Sequence, residues 1–146
     1  VGRDALAVLH RVSTQKLDDL APGGARTTLF CDFRGRLLHR ATVAVASDGV
    51  TWLLRDDAPG DALAAFVDRA VFREDVGIED RSTGSPVWLV LDPGASGPRF
   101  APAGEPRFAP ESEGFALRMS ELSGDAPVDE PARIARGRAR HGHEIA

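Results

Sequence analysis

The stretch Thr27–Leu54, TTLFCDFRGRLLHRATVAVASDGVTWLL, decides how this chain folds. It is a run of β-branched and large apolar residues broken at Phe33-Arg34-Gly35-Arg36 and again at Ser47-Asp48-Gly49. Each break holds a glycine that can take the positive φ of a tight hairpin, which side chains with a Cβ resist. Three consecutive antiparallel strands are therefore expected, near 27–33, 37–46 and 50–55. In the second, Leu37, His39, Ala41, Val43 and Val45 share one face and Leu38, Arg40, Thr42, Ala44 and Ala46 the other. Each face thus carries one polar group near the hairpin and apolar residues beyond it. A buried Arg or His must be paired or line a cavity. His39 and Arg40 mark either an exposed strand end or the mouth of a pocket, and periodicity alone favours the exposed end.

Outward from this stretch, residues 4–12 place Ala5, Val8, Leu9 and Val12 at helical spacing, with Asp4 as the expected N-cap. Ser13 is expected to cap a short turn over 14–20, closed by Pro22-Gly23-Gly24. His10 sits on or beside the apolar stripe. With no carboxylate or serine partner fixed near it, a packed or half-exposed histidine outweighs a catalytic one. After the third strand, Asp56-Asp57-Ala58-Pro59-Gly60 reads as a turn, and Asp61 as the cap of a helix reaching about Phe72. Leu63, Phe66, Val67, Ala70 and Val71 would pack on the sheet. The carboxylates at 56, 57 and 61 resemble a metal cluster, yet acids at a helix start are favoured by the helix dipole anyway.

Two strands are expected next, Val76–Asp80 and Val87–Leu91, the second apolar enough for burial on both faces. Residues 92–114 are rich in Pro and Gly and read as a long loop, with short extended pieces at 99–101 and 107–109. Phe115–Leu122 reads as one more strand, 123–131 as an acidic linker, and 132–140 as the opening of a basic helix weakened by Gly137. The fold class is α+β: a mostly antiparallel sheet with packed helices, one domain over 1–122 and a following segment over 123–146.

Composition narrows the function classes. A chain of 146 residues can bury a real core. No apolar run reaches a membrane span, so a membrane role is not expected. The single cysteine, Cys31, excludes an internal disulfide and a cysteine-rich metal site, and makes a reducing cytoplasm the expected compartment. The net charge of −4 gives no basic face for direct nucleic-acid binding, although the last dozen residues are basic. Walker, GxGxxG, GxSxG, HExxH and paired CxxC motifs are all absent from the sequence. His141-Gly142-His143-Glu144 has alternating donors, a pattern that near a chain end binds metal incidentally more often than functionally. No catalytic residue and no metal ligand is assigned. The first residue is not Met and no closing element precedes Ala146, so the chain is expected to be a fragment.

Val12-Ser13-Thr14, Leu20-Ala21-Pro22-Gly23 and Leu29-Phe30-Cys31-Asp32-Phe33-Arg34-Gly35-Arg36 together resemble the opening of the folate-binding YgfZ/GcvT superfamily. Ala70–Asp80 looks like the family's link from helix to next strand. Arg133-Ile134-Ala135-Arg136-Gly137 with Gly142-His143-Glu144 looks like a later family segment, with Arg138-Ala139 where Pro is usual. The likeness spans nearly this whole chain but about the first half of a family member, and order and spacing carry it.

Aminomethyltransferases of the glycine cleavage system end this hairpin with Gly-Gly-x-x-Asp-Asp, where His39-Arg40 stand here. A neutral or cationic pair lacks the negative charge that would stabilise an iminium-like cation. Cys-Asp-x-x-Gly-Arg looks more like the YgfZ branch, described as tRNA-modifying or iron–sulfur-maintenance proteins, whose Lys-Gly-Cys-x-x-Gly-Gln-Glu motif would follow residue 146.

The resemblance implies a GcvT-like folate-binding domain whose hairpin end faces a central channel holding the pterin of tetrahydrofolate. It implies Asp32, His39, Arg40, Leu54 and Arg55 as channel-lining, with Arg40 or Arg55 available to an anionic glutamyl tail. Against this stands the plain reading of each as a surface strand terminus. Cys31 is expected to pack as a small hydrophobe. Expected partners are folate, iron–sulfur enzymes and a second copy of the chain through faces left uncovered. The alternatives are a folate-dependent aminomethyltransferase and a non-catalytic interaction module using the 92–114 loop and basic tail.

Overall fold

The computed structural model describes residues 2–55 and 58–82 in full, and the backbone of strands at 87–90, 107–108 and 116–119. Helix α1 (Ala5–Val12) leads into strands β1 (Ala25–Cys31), β2 (Leu37–Val45) and β3 (Thr51–Leu54), followed by helix α2 (Asp61–Asp68). The three strands form an antiparallel sheet in the order β1-β2-β3. Strands β4 (Val87–Val90), β5 (Arg107–Phe108) and β6 (Ala116–Met119) form a second antiparallel sheet, in the order β4-β6-β5. The α+β class expected from the sequence is what the described residues adopt.

Both hairpins turn where expected. Gly35 (φ 77°) and Gly49 (φ 82°) occupy the left-handed region, open to glycine without a Cβ penalty. At the first turn the Asp32 carboxylate accepts the Arg34 and Arg36 backbone N–H groups and the Arg36 Nε–H, at 2.8–2.9 Å. Asp32 has therefore left the strand, and a register shift between Phe30 and Cys31 marks the exit. At the other end β1 starts two residues earlier than expected, because Ala25 pairs with Ala44. At the second turn, Val50 N–H donates to the Asp48 carboxylate at 3.0 Å.

The core lies on one face of this sheet. Phe30, Ala41, Val43 and Val45 meet Leu9 of α1, Leu63 and Val67 of α2, and Leu17 and Leu20 from the loop between α1 and β1. Phe30 is fully buried and meets Phe66 edge-on, with ring centroids 5.7 Å apart. The opposite face of β2 is closed as well: Arg40, Thr42 and Ala44 are all buried.

Three expected elements take other forms. Residues 14–20 turn only at their end, where the Leu20 N–H donates to the Leu17 carbonyl at 3.1 Å. Ser13 instead bridges Phe30, and Thr14 N–H donates to the Leu29 carbonyl at 3.0 Å, so the chain runs along the edge of β1 and covers it. A free strand edge offers main-chain partners that a local turn cannot match. Helix α2 has Asp61 as its first residue, with Gly60 in the cap position, and ends at Asp68 rather than near Phe72. Ala70 and Val71 donate three residues back, and the Glu74 carboxylate takes the Phe72 and Arg73 N–H groups at 2.8 and 3.0 Å. Arg11 of α1 closes this end, donating to the Ala70 carbonyl and the Glu74 carboxylate at 2.6 and 2.7 Å.

The third is Val76–Asp80, which is not a strand: it runs in irregular conformation from the Glu74 knot to Ser82. Asp75, just before it, is held by Asp4, whose carboxylate accepts the Asp75 N–H at 2.9 Å. The expected strands at 87–91 and 115–122 appear as β4 and β6, and the short piece near 107 as β5. The extended piece at 99–101, the acid pair Asp56-Asp57, the basic segment 132–140, the His-Gly-His-Glu cluster and the whole of 123–146 lie outside the described residues.

Candidate functional site

The end of β2 nearest the first hairpin holds the polar groups that the sequence singled out. Phe30 pairs with His39 and Leu29 with Arg40, so strand alternation sends the two polar side chains to opposite faces. Neither is an exposed terminus: His39 is 9% exposed and Arg40 6%. Periodicity favoured the exposed end, and packing overturns it. His39 is covered on the core side by Phe66, their rings edge-on at 5.5 Å. That contact joins residues far apart in sequence, so the strand's own pattern carried no sign of it.

Arg55 follows β3 and is also buried, at 8% exposure. Its Nη1 lies 3.4 Å from His39 Nδ1. A guanidinium only donates, so any hydrogen bond between them has His39 Nδ1 as the acceptor. Leu54 pairs with Thr42 and is buried, sharing the face of Arg40 rather than that of His39. On that same face the Thr27 and Thr42 hydroxyls meet at 3.0 Å.

The five residues expected to line one channel are thus divided. His39 and Arg55 meet; Arg40 and Leu54 lie across the sheet; Asp32 is committed to the hairpin turn. The Arg36 N–H, together with the Arg36 and Arg34 donors, holds the Asp32 carboxyl below its usual range and keeps it anionic within the turn. His39, Arg40 and Arg55 each have further interactions, and none stands without a partner.

A cavity of 430 Å³ runs along β3. The strand forms one wall, Leu9 of α1 and Leu63 and Val67 of α2 the floor, and residues 76–82 the far side. Leu54 and Arg55 belong to its lining, which ties two of the expected residues to a space large enough for a small organic ligand. Its rim carries Asp48, Glu79 and Asp80 against Arg81. Arg81 donates to Glu79 at 2.9 Å, which lowers the Glu79 carboxyl, and stacks over Trp52 with 5.9 Å to the ring centroid. Asp80 accepts from the Ser82 side chain and N–H, which lowers it too, while Ser82 Oγ accepts the Gly60 N–H at 3.1 Å and ties the far wall to the start of α2.

Comparison with protein-family models, with curated proteins and with solved structures finds no match. The site therefore stands on its own geometry. Sequence reading singled out His39 and Arg55, of which Arg55 belongs to the cavity lining, but missed the cavity's far wall, because VGIED carries a strand pattern that conceals its use as a loop. His10, expected as a packed or half-exposed residue, lies exposed, yet accepts the Leu17 N–H on Nδ1 at 3.2 Å and so has a structural task. Cys31 is half-buried at the bulge. Among the described residues no group of three or more His, Cys, Asp or Glu is placed to hold a metal ion, and no helix is long and apolar enough to cross a membrane.

Proposed function

We propose that this chain is a folate-binding domain of the YgfZ kind, serving the upkeep of iron–sulfur enzymes or tRNA modification. One observation carries the reading. His39, Arg40 and Arg55, which the resemblance implies as lining of a pterin channel, are all buried at one end of the sheet. Burying two guanidiniums and an imidazole is costly unless each is paired, and all three have partners, which keeps them fixed at this end of the sheet. Arg55 also reaches the cavity lining, where its planar fork suits a carboxylate such as that of a glutamyl tail. Asp32 would serve indirectly, by holding the hairpin that carries β2. The aminomethyltransferase alternative is disfavoured, because His39-Arg40 offer no carboxylate for a developing cation.

The test is calorimetric titration of the complete gene product with tetrahydrofolate, cytoplasmic and reducing conditions being the natural choice. Saturable micromolar binding is expected, weakened tenfold or more, about 1.4 kcal/mol, in a folded Arg55→Lys variant and likewise in His39→Ala. A folded protein that gives no saturable heat would remove the folate reading and leave the interaction module.

A further inference from the structure

The phase of the second hairpin determines which main-chain groups of β3 are used. Ala46 N–H donates to the Val50 carbonyl at 2.9 Å, and the register pairs Trp52 with Ala44 and Leu54 with Thr42. In an antiparallel ladder alternate residues bond inward, so the N–H and C=O groups of Thr51 and Leu53 point to the outer edge. No described residue bonds them there. The two edges of this sheet are treated differently: Ser13 and Thr14 cover β1, while β3 opens onto the cavity. An open edge is a template for another strand.

We infer that the β3 edge receives an extended peptide segment of a partner protein, as a fourth strand seated in the cavity. The edge supplies main-chain donors and acceptors at Thr51 and Leu53. The floor supplies apolar contact from Leu63 and Val67 for alternate side chains of the guest. Asp48, Glu79 and Asp80 outnumber Arg55 and Arg81 in the lining, so a guest with basic flanks is matched. This surface differs from the 92–114 loop and basic tail of the interaction-module alternative. It shares Arg55 and the cavity with the proposed folate site, so the two guests would compete there, but its main-chain contacts at Thr51 and Leu53 need no folate.

The probe is an acetylated and amidated heptapeptide alternating valine and threonine with a lysine at each end, titrated into the full chain by fluorescence anisotropy. Thr51→Pro removes an outward N–H without touching the bonds to β2, so the sheet survives while the edge is blocked. Saturable binding is expected, weakened at least tenfold by Thr51→Pro and by methylating alternate peptide nitrogens. Amide exchange at Thr51 and Leu53, fast in the free protein, should slow at least tenfold on binding. Three results would each overturn the inference: absence of saturable binding, binding indifferent to Thr51→Pro, or slow exchange at Thr51 and Leu53 in the free protein. The last would mean that the edge is already closed, by this chain or by a second copy.

Discussion

Glu74 shows how one carboxylate can join elements distant in sequence. It accepts the Phe72 and Arg73 N–H groups and the Arg11 guanidinium, and these donors, the Phe72 N–H foremost, lower its pKa from 4.5 to about 2. A carboxyl depressed in the folded state contributes stability that is complete above its unfolded value and fades as pH falls towards its folded one. The urea midpoint should therefore decline between about pH 4.5 and pH 2, and Glu74→Gln should flatten that part of the profile. An acid slope identical in the variant would show that Glu74 is not a source of it. The residue was visible in the sequence only as one of many acids in an acidic stretch, because its partners come from its own turn and from α1.

Among elements, the segment joining α1 to β1 departs furthest from its local pattern. Leu17 is fully buried there, and its N–H is held by His10 Nδ1. A single such hydrogen bond contributes about 1 kcal/mol net. His10→Ala should cost that much and speed exchange of the Leu17 amide several-fold, whereas His10→Asn, which keeps an acceptor, should recover part of the protection. Leu17 exchange unaltered by His10→Ala would contradict the assigned role. The hairpins, by contrast, were legible in advance, since Gly35 and Gly49 mark turns whose chemistry is complete within four residues. Val76–Asp80 misled for the opposite reason: a strand pattern is realised only when an edge at the right distance pairs with it, and here it borders a cavity instead.

At the scale of the whole molecule, Phe30 of β1 joins the parts, sharing the core with residues of β2 and α2 and meeting Phe66 against its ring. Truncation to alanine leaves a cavity at the centre of the core, and Phe30→Ala should cost about 3–5 kcal/mol in a urea titration followed by circular dichroism. A loss under about 1 kcal/mol would mean that the sheet and helices are not packed through this residue. The sequence by itself determined the two hairpins, the strand order they impose, the apolar stripe of α1, the Leu63-Phe66-Val67 part of that of α2 and the α+β class, because turn chemistry and hydrophobic period act over a few residues. Only the tertiary structure decided that His39, Arg40 and Arg55 are buried, that alternation divides them between two faces, and that no described residue bonds the outer edge of β3 beside the cavity. Burial and edge coverage depend on what the rest of the chain brings alongside, and Phe66 reaches His39 across twenty-seven residues of sequence.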